Sequence, residues 1–238
     1  MDKVDKLSVK IFADGADKVG MLEMYEKSYI KGLTTNPTLM RKAGITDYRD
    51  FCKDILKTVD DKPLSFEVFS DSFDEMKRQA IEISGWGDNV YVKIPVTNTK
   101  GETCYSMVKA LVELNVKVNV TAIMTLEQVR RVVDVLDADV PSYVSVFAGR
   151  IADTGVDPVP LMTEAVSILK SKPASELIWA SPRELLNILQ ANEIGCHVIT
   201  VTNDLLKKLA LIDKDLTEYS LDTVKMFYND ATSAGFKL

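Results

Sequence analysis

The sequence predicts a single (β/α)8 TIM barrel on three observations: eight short β-prone runs, an amphipathic stretch after each, and no linker or composition shift along the 238 residues. In order, the strand candidates are KIFA (10–13), IKGLT (30–34), LSFEVF (64–69), VYVKIP (90–95), VKVNVTA (116–122), YVSVFA (143–148), ELIWAS (176–181) and HVITV (197–201). Each is rich in β-branched or aromatic residues that suit a pleated surface. Apolar residues at helical spacing follow at 17–28, 37–58, 72–84, 103–114, 125–136, 158–170, 183–193 and 203–212, with a tail helix near 216–231. Strand starts lie 20 to 34 residues apart, so every connection can hold a crossover helix. Right-handed crossovers make neighbouring strands parallel, and eight such units close a barrel in one domain spanning 1–238.

The competing architecture, an open doubly wound sheet, usually carries a Gly-rich phosphate turn after its first strand, and here that turn reads ADGAD. Gly85-Trp86-Gly87-Asp88 lacks a third glycine and precedes a strand, so it reads as a turn. Composition narrows function further. Hydrophobic residues at 46% and charged residues at 27% describe a foldable globular chain. A net charge of −6 without a long basic run argues against nucleic acid as a partner. No stretch reaches the ~18–20 apolar residues that span a bilayer, and the charged N-terminal segment lacks the apolar core of a secretory signal, so no membrane partner is expected. Cys52, Cys104 and Cys196, an odd set without C-x-x-C spacing, read as reduced thiols of a cytoplasmic protein. One histidine, His197, leaves no His-rich metal site, and no metal or other cofactor is expected.

In a barrel the strand C-termini converge on the face that carries active sites. Those ends supply Asp14, Glu67, Lys93, Asn119 with Thr121, Ser145 with Arg150, and Ser181 with Arg183, while Asn36 follows the second strand. Lys93 interrupts the apolar run VYVKIPV with no adjacent acid to pair it. Burial would lower its pKa, and a neutral amine can add to a ketone to form an imine. The alternatives are a lysine whose head snorkels to solvent or one that pairs with a distant carboxylate. Glu67 in SFEVF is either a proton-transfer group or a solvent-facing strand residue. Asp14 is either a site acid or the N-cap of the next helix. Ser181-Pro182-Arg183 predicts a helix start whose hydroxyl, free N–H groups and guanidinium could cradle phosphate, or merely a capped helix. Arg150 either adds a second cation or pairs with Asp153. His197 and the thiols read as structural.

These pieces, taken together, resemble the transaldolases, particularly the short members grouped with fructose 6-phosphate aldolases. The matching segments run in order from IFAD (11–14) through TTNPT (34–38), FEV (66–68), VKIPVT (92–97), NVT (119–121), SVFAGR (145–150), ASPR (180–183) and GCHVITV (195–201). The resemblance implies that Lys93 forms a Schiff base and that Asp14 takes the proton from the hydroxyl on the substrate's fourth carbon. It implies that Glu67 moves protons through a water shared with Thr121, and that Asn36, Asn119 and Ser145 hold the three-carbon fragment. Arg183 and Ser181, helped by Arg150, would bind the substrate phosphate. Glu67 and Phe147 match the transferase pattern, in which a dihydroxyacetone unit passes to an acceptor aldehyde in the pentose phosphate pathway; Gln and Tyr would match aldolases that release it free. The sequence departs from the family in lacking a hydroxyl residue directly after Asp14, in Pro182 where an aromatic is usual, and in the polar segment TVTND. The partners expected are sugar phosphates and further copies of the chain. A non-catalytic sugar-phosphate-binding barrel and a metal-dependent aldolase are the rivals, the latter disfavoured by the lone histidine.

Overall fold

A computed structural model describes residues 4–237. The strands are β1 (Lys10–Asp14), β2 (Ile30–Thr34), β3 (Leu64–Glu67), β4 (Val90–Pro95), β5 (Val118–Ile123), β6 (Ser142–Val146), β7 (Ser175–Trp179) and β8 (Val198–Thr202). They close into a barrel in chain order, each pair parallel, with β8 returning to β1. The helices are α1 (Lys18–Tyr25), α2 (Pro37–Lys42), α3 (Tyr48–Leu56), α4 (Phe73–Ser84), α5 (Tyr105–Val112), α6 (Leu126–Val135), α7 (Ala148–Asp153), α8 (Val159–Leu169), α9 (Leu186–Glu193), α10 (Asn203–Leu206) and α11 (Leu216–Ser233). The (β/α)8 barrel predicted by the alternating pattern is therefore the observed fold.

Four elements differ from the sequence expectation, one of them the stretch 203–212, which is not a single helix but α10 followed by a 3-10 helix at Lys207–Leu211. The stretch 37–58 divides into α2 and α3, because Gly44 adopts φ +72° and a Schellman pair closes α2: Gly44 N–H donates to Arg41 O and Ile45 N–H to Met40 O, both at 3.1 Å. Asp47 then caps α3 by accepting from Asp50 N–H at 2.9 Å. Residues 148–153 form α7, too short to show a helical period in the sequence. The helix expected from 183 begins at Leu186, so Pro182 does not open it. Ser181 turns at φ +58°, and the N–H groups of Arg183 and Glu184 both donate to Asn187 Oδ1. Those N–H groups are consequently not free to cradle an anion.

The main core lies between the outer face of the strands and the helix ring, where Leu33, Leu64, Val92, Val118, Val144 and Leu177 are fully buried. The barrel interior is a separate cluster around Phe12, Tyr143, Ile178 and Val198, with Tyr91 packed against it. Phe12 meets Tyr143 edge-on at 5.6 Å, and Gly32 is required beside Phe12, since a Cβ there would stand 2.6 Å from its ring. Strand period two places Asp14 on the same side as Phe12, Lys93 on that of Tyr91, and Ser145 on that of Tyr143. Packed aromatics thus occupy the middle of the barrel and polar groups its C-terminal mouth. The tail helix α11 buries no side chain.

Candidate active site

A cavity of about 680 Å³ opens at the C-terminal ends of the strands. Its wall contains every residue expected from the sequence: Asp14, Asn36, Glu67, Lys93, Asn119, Thr121, Ser145, Phe147, Arg150, Ser181 and Arg183. Strand register explains the central group. Glu67 is opposite Lys93 and Lys93 opposite Asn119 in parallel neighbours, so the three side chains enter the barrel at one level.

Of the alternatives open to Lys93, the structure shows pairing with a carboxylate distant in the chain. Lys93 Nζ donates to Glu67 Oε1 at 2.8 Å and also to the Thr35 carbonyl. Both ionic side chains are buried, 10% and 8% exposed, which also excludes a solvent-facing Glu67 and a snorkelling Lys93. Burial pushes the Glu67 carboxyl up, against the opposing attraction of Lys93. Its backbone is pinned by Tyr48, whose hydroxyl donates to Glu67 O at 2.9 Å and accepts from Glu67 N–H at 2.7 Å. Tyr48 opens α3, so the break at Gly44 is what brings it to the end of β3.

Asp14 is not a helix cap; Asp17 caps α1 by accepting from Gly20 N–H at 2.7 Å. Asp14 instead accepts from Thr34 Oγ1 at 2.8 Å and from Asn36 Nδ2 at 3.1 Å. Burial raises its pKa, opposed by Lys93 and by those two hydrogen bonds. Asn36 has a double role, since its Oδ1 caps α2 through Leu39 N–H at 2.9 Å. Asn119 is fully buried, donating to Ser65 Oγ at 3.0 Å and accepting from Ser145 Oγ at 2.7 Å. The Thr121 hydroxyl is buried without a partner in the cavity wall. Beside it a bulge in β5 places Ala122 at φ +63°.

The outer wall on the β6 and β7 side carries the cations. Arg150 lies over the Phe147 ring at 5.3 Å. Asp153, the alternative partner of Arg150, forks onto Arg183 instead, accepting from its Nε at 3.0 Å and from Nη2. Gly149 permits the contact between α7 and the β7 loop, because a Cβ there would stand 1.5 Å from Ser181 O. Thr34, Thr200, Thr202 and Asp204 also line the cavity and were not singled out in the sequence. The TTNPT segment pointed at Thr34, whereas Thr200 in an ordinary β-prone run carried no signal.

His197 accepts from Leu177 N–H at 3.0 Å, and all three cysteines are buried thiols, as structural residues should be. Among the described residues no cluster of potential ligands could hold a metal, and no helix is long and apolar enough to cross a membrane.

Residues 11–238 match the family described as Transaldolase/Fructose-6-phosphate aldolase. The chain is 33% identical over 232 residues to a probable transaldolase of Thermoanaerobacter sp. (strain X514), covering 97% of this chain and 100% of that one. A probable transaldolase of Thermoplasma volcanium is 32% identical, with 92% and 96% covered. Among solved structures, a putative phosphonomutase from Burkholderia cenocepacia superposes with a TM-score of 0.56 at 12% identity, covering 88% of this chain and 96% of that one. The 3-keto-L-gulonate-6-phosphate decarboxylase of Vibrio cholerae gives 0.54 at 14%, covering 83% and 88%. The last two likenesses speak for the barrel alone.

Proposed function

Because the chain belongs to the transaldolase/fructose-6-phosphate aldolase family, we propose that it is a cytoplasmic transaldolase of the pentose phosphate pathway. It moves a dihydroxyacetone unit from sedoheptulose 7-phosphate or fructose 6-phosphate to glyceraldehyde 3-phosphate or erythrose 4-phosphate. The observation that carries this reading is the buried Lys93–Glu67 pair at 2.8 Å in the same cavity as Asp14 and two arginines.

The pair solves the problem of activating a buried ammonium. Lys93 passes a proton to Glu67 across their hydrogen bond, and the burial that pushes Glu67 up lowers the cost of that transfer. The neutral amine adds to the ketone carbon, and Glu67 returns its proton as the carbinol oxygen leaves as water. A water between Glu67 and the unpartnered Thr121 hydroxyl relays these protons. Asp14 then takes the proton from the hydroxyl on carbon four, the bond between carbons three and four breaks, and its electron pair passes to the iminium to give an enamine. Addition of the enamine to an acceptor aldehyde and hydrolysis of the imine reverse these steps. Asn36, Asn119 and Ser145 hold the hydroxyls of the three-carbon fragment, and Ser181, Arg150 and Arg183 hold the phosphate, remote binding that positions the reacting bond. Phe147 offers no hydroxyl to assist hydrolysis before an acceptor arrives. The partner expected besides sugar phosphates is a second copy of the chain, supported by the bare apolar side of α11.

Borohydride reduction with fructose 6-phosphate, followed by peptide mass mapping, should place a dihydroxyacetone-derived adduct on Lys93. Lys93→Met should remove both adduct and turnover while the protein stays folded. Substantial turnover by that variant would defeat the assignment, and steady consumption of fructose 6-phosphate without any acceptor would assign an aldolase that releases free dihydroxyacetone.

A further inference from the structure

The proposed phosphate subsite contains a carboxylate that the transfer chemistry does not use. Asp153, at the end of α7, accepts from Arg183 Nε at 3.0 Å and from Nη2, so it covers the side-on edge of the guanidinium with both oxygens. A guanidinium has five N–H donors in a rigid fork, and this contact leaves Nη1 and the second Nη2 hydrogen free. Arg183 is also braced at its backbone, where its N–H donates to Asn187 Oδ1 at 2.7 Å. Arg150, one helical turn before Asp153, has the Phe147 ring beneath it. The Gly149 contact holds the helix bearing Arg150 and Asp153 against the loop bearing Arg183.

Both members of the Asp153–Arg183 pair are about half exposed, 51% and 49%. An exposed ion pair contributes little to folding. Its physical consequence lies elsewhere, in removing rotamer freedom that a bound anion would otherwise have to quench.

We propose that Asp153 is a positioning residue for anion recognition, holding the side-on edge of Arg183 so that its end-on edge, with Arg150, receives a substrate phosphate. The inference rests on the transaldolase reading of the site. The opposite possibility, a carboxylate that competes with phosphate for Arg183, predicts the reverse sign and is separable by experiment.

The test compares Asp153→Asn, Asp153→Ala and Asp153→Glu with the wild type in two measurements. Inorganic phosphate is titrated calorimetrically into each protein, and kinetics are recorded with glyceraldehyde 3-phosphate and with unphosphorylated glyceraldehyde as acceptors. The Asn and Ala variants should show a rise of about three- to tenfold in the phosphate Kd and in KM for the phosphorylated acceptor. The kcat should move less than KM, the KM for glyceraldehyde should not rise, and Glu should restore much of the loss. Unchanged or tighter phosphate binding in the Asn and Ala variants would overturn the inference, the tighter result identifying a competitor. If the wild type binds phosphate but transfers nothing, the transaldolase reading fails, while the calorimetric arm still decides the role of Asp153.

Discussion

At the scale of single residues, Asp14 shows how burial and hydrogen bonding divide the control of one carboxyl. Burial raises its pKa, while Lys93, Thr34 and Asn36 oppose the rise. In the role of base proposed for it Asp14 must be ionised, so the acid limb of kcat/KM should lie above the ~3.9 of an ordinary aspartate. Asp14→Asn should lower kcat by about 10²–10⁴-fold. The same shift makes a stability statement with a definite sign. A carboxyl whose folded pKa is raised contributes stability fully present below the unfolded value, and that contribution is lost as pH rises through the folded one. Thermal melts at stepped pH should therefore show the asparagine variant gaining on the wild type from about pH 4 upward. A constant difference across that range would contradict the direction of the shift.

At the scale of elements, α7 does more than its length suggests. It carries Arg150 and Asp153, and it meets the β7 loop through Gly149, with Gly149 N–H donating to Ala180 O at 3.3 Å. A methyl group 1.5 Å from Ser181 O cannot be accommodated without moving backbone. Gly149→Ala should thus cost about 1–3 kcal/mol, read as a lower urea midpoint at unchanged m. It should also weaken phosphate binding by separating the two arginines. Wild-type stability and wild-type phosphate affinity in that variant would show that the contact is not needed. The division of α2 from α3 has a similar reach, because the turn at Gly44 starts α3 where Tyr48 can grip both backbone groups of Glu67.

At the scale of the whole molecule, α11 is the element the barrel does not account for. Eighteen residues form a helix that buries none of its side chains, and Leu221, Val224, Phe227 and Tyr228 are 52–71% exposed. An isolated helix of this length is marginal in water, and most helical stability comes from packing an apolar face. Light scattering at micromolar concentration should therefore report a mass above that of one chain. Val224→Glu with Phe227→Glu should shift the protein toward monomer without unfolding the barrel, which α11 does not help to bury. A wild-type monomer across that concentration range would contradict self-association through this face.

The chain's own alternation determined the barrel. Hydrophobic runs at period two and amphipathic stretches at helical period are local signals, and parallel strands joined by crossovers leave few closed arrangements. Thr200, in an ordinary β-prone run, carried no signal, whereas Asp14, Glu67, Lys93, Asn119 and Thr121 were legible for the same reason, since a charge or hydrogen-bonding group within an apolar strand end is visible without knowing its neighbours. Their partners were not. The sequence separates Lys93 from Glu67 by 26 positions and Arg183 from Asp153 by 30. Only strand register and the docking of α7 on the β7 loop decide that these charges meet. The start of α9 at Leu186 was equally hidden, because Ser-Pro-Arg is compatible with a first helical turn until the Asn187 side chain takes the N–H groups of Arg183 and Glu184. Periodicity in one dimension thus set which side chains face the barrel mouth, and tertiary contact set which partner each one meets there. Hydrogen bonds and ion pairs act over a few ångströms of space, whatever their distance along the chain.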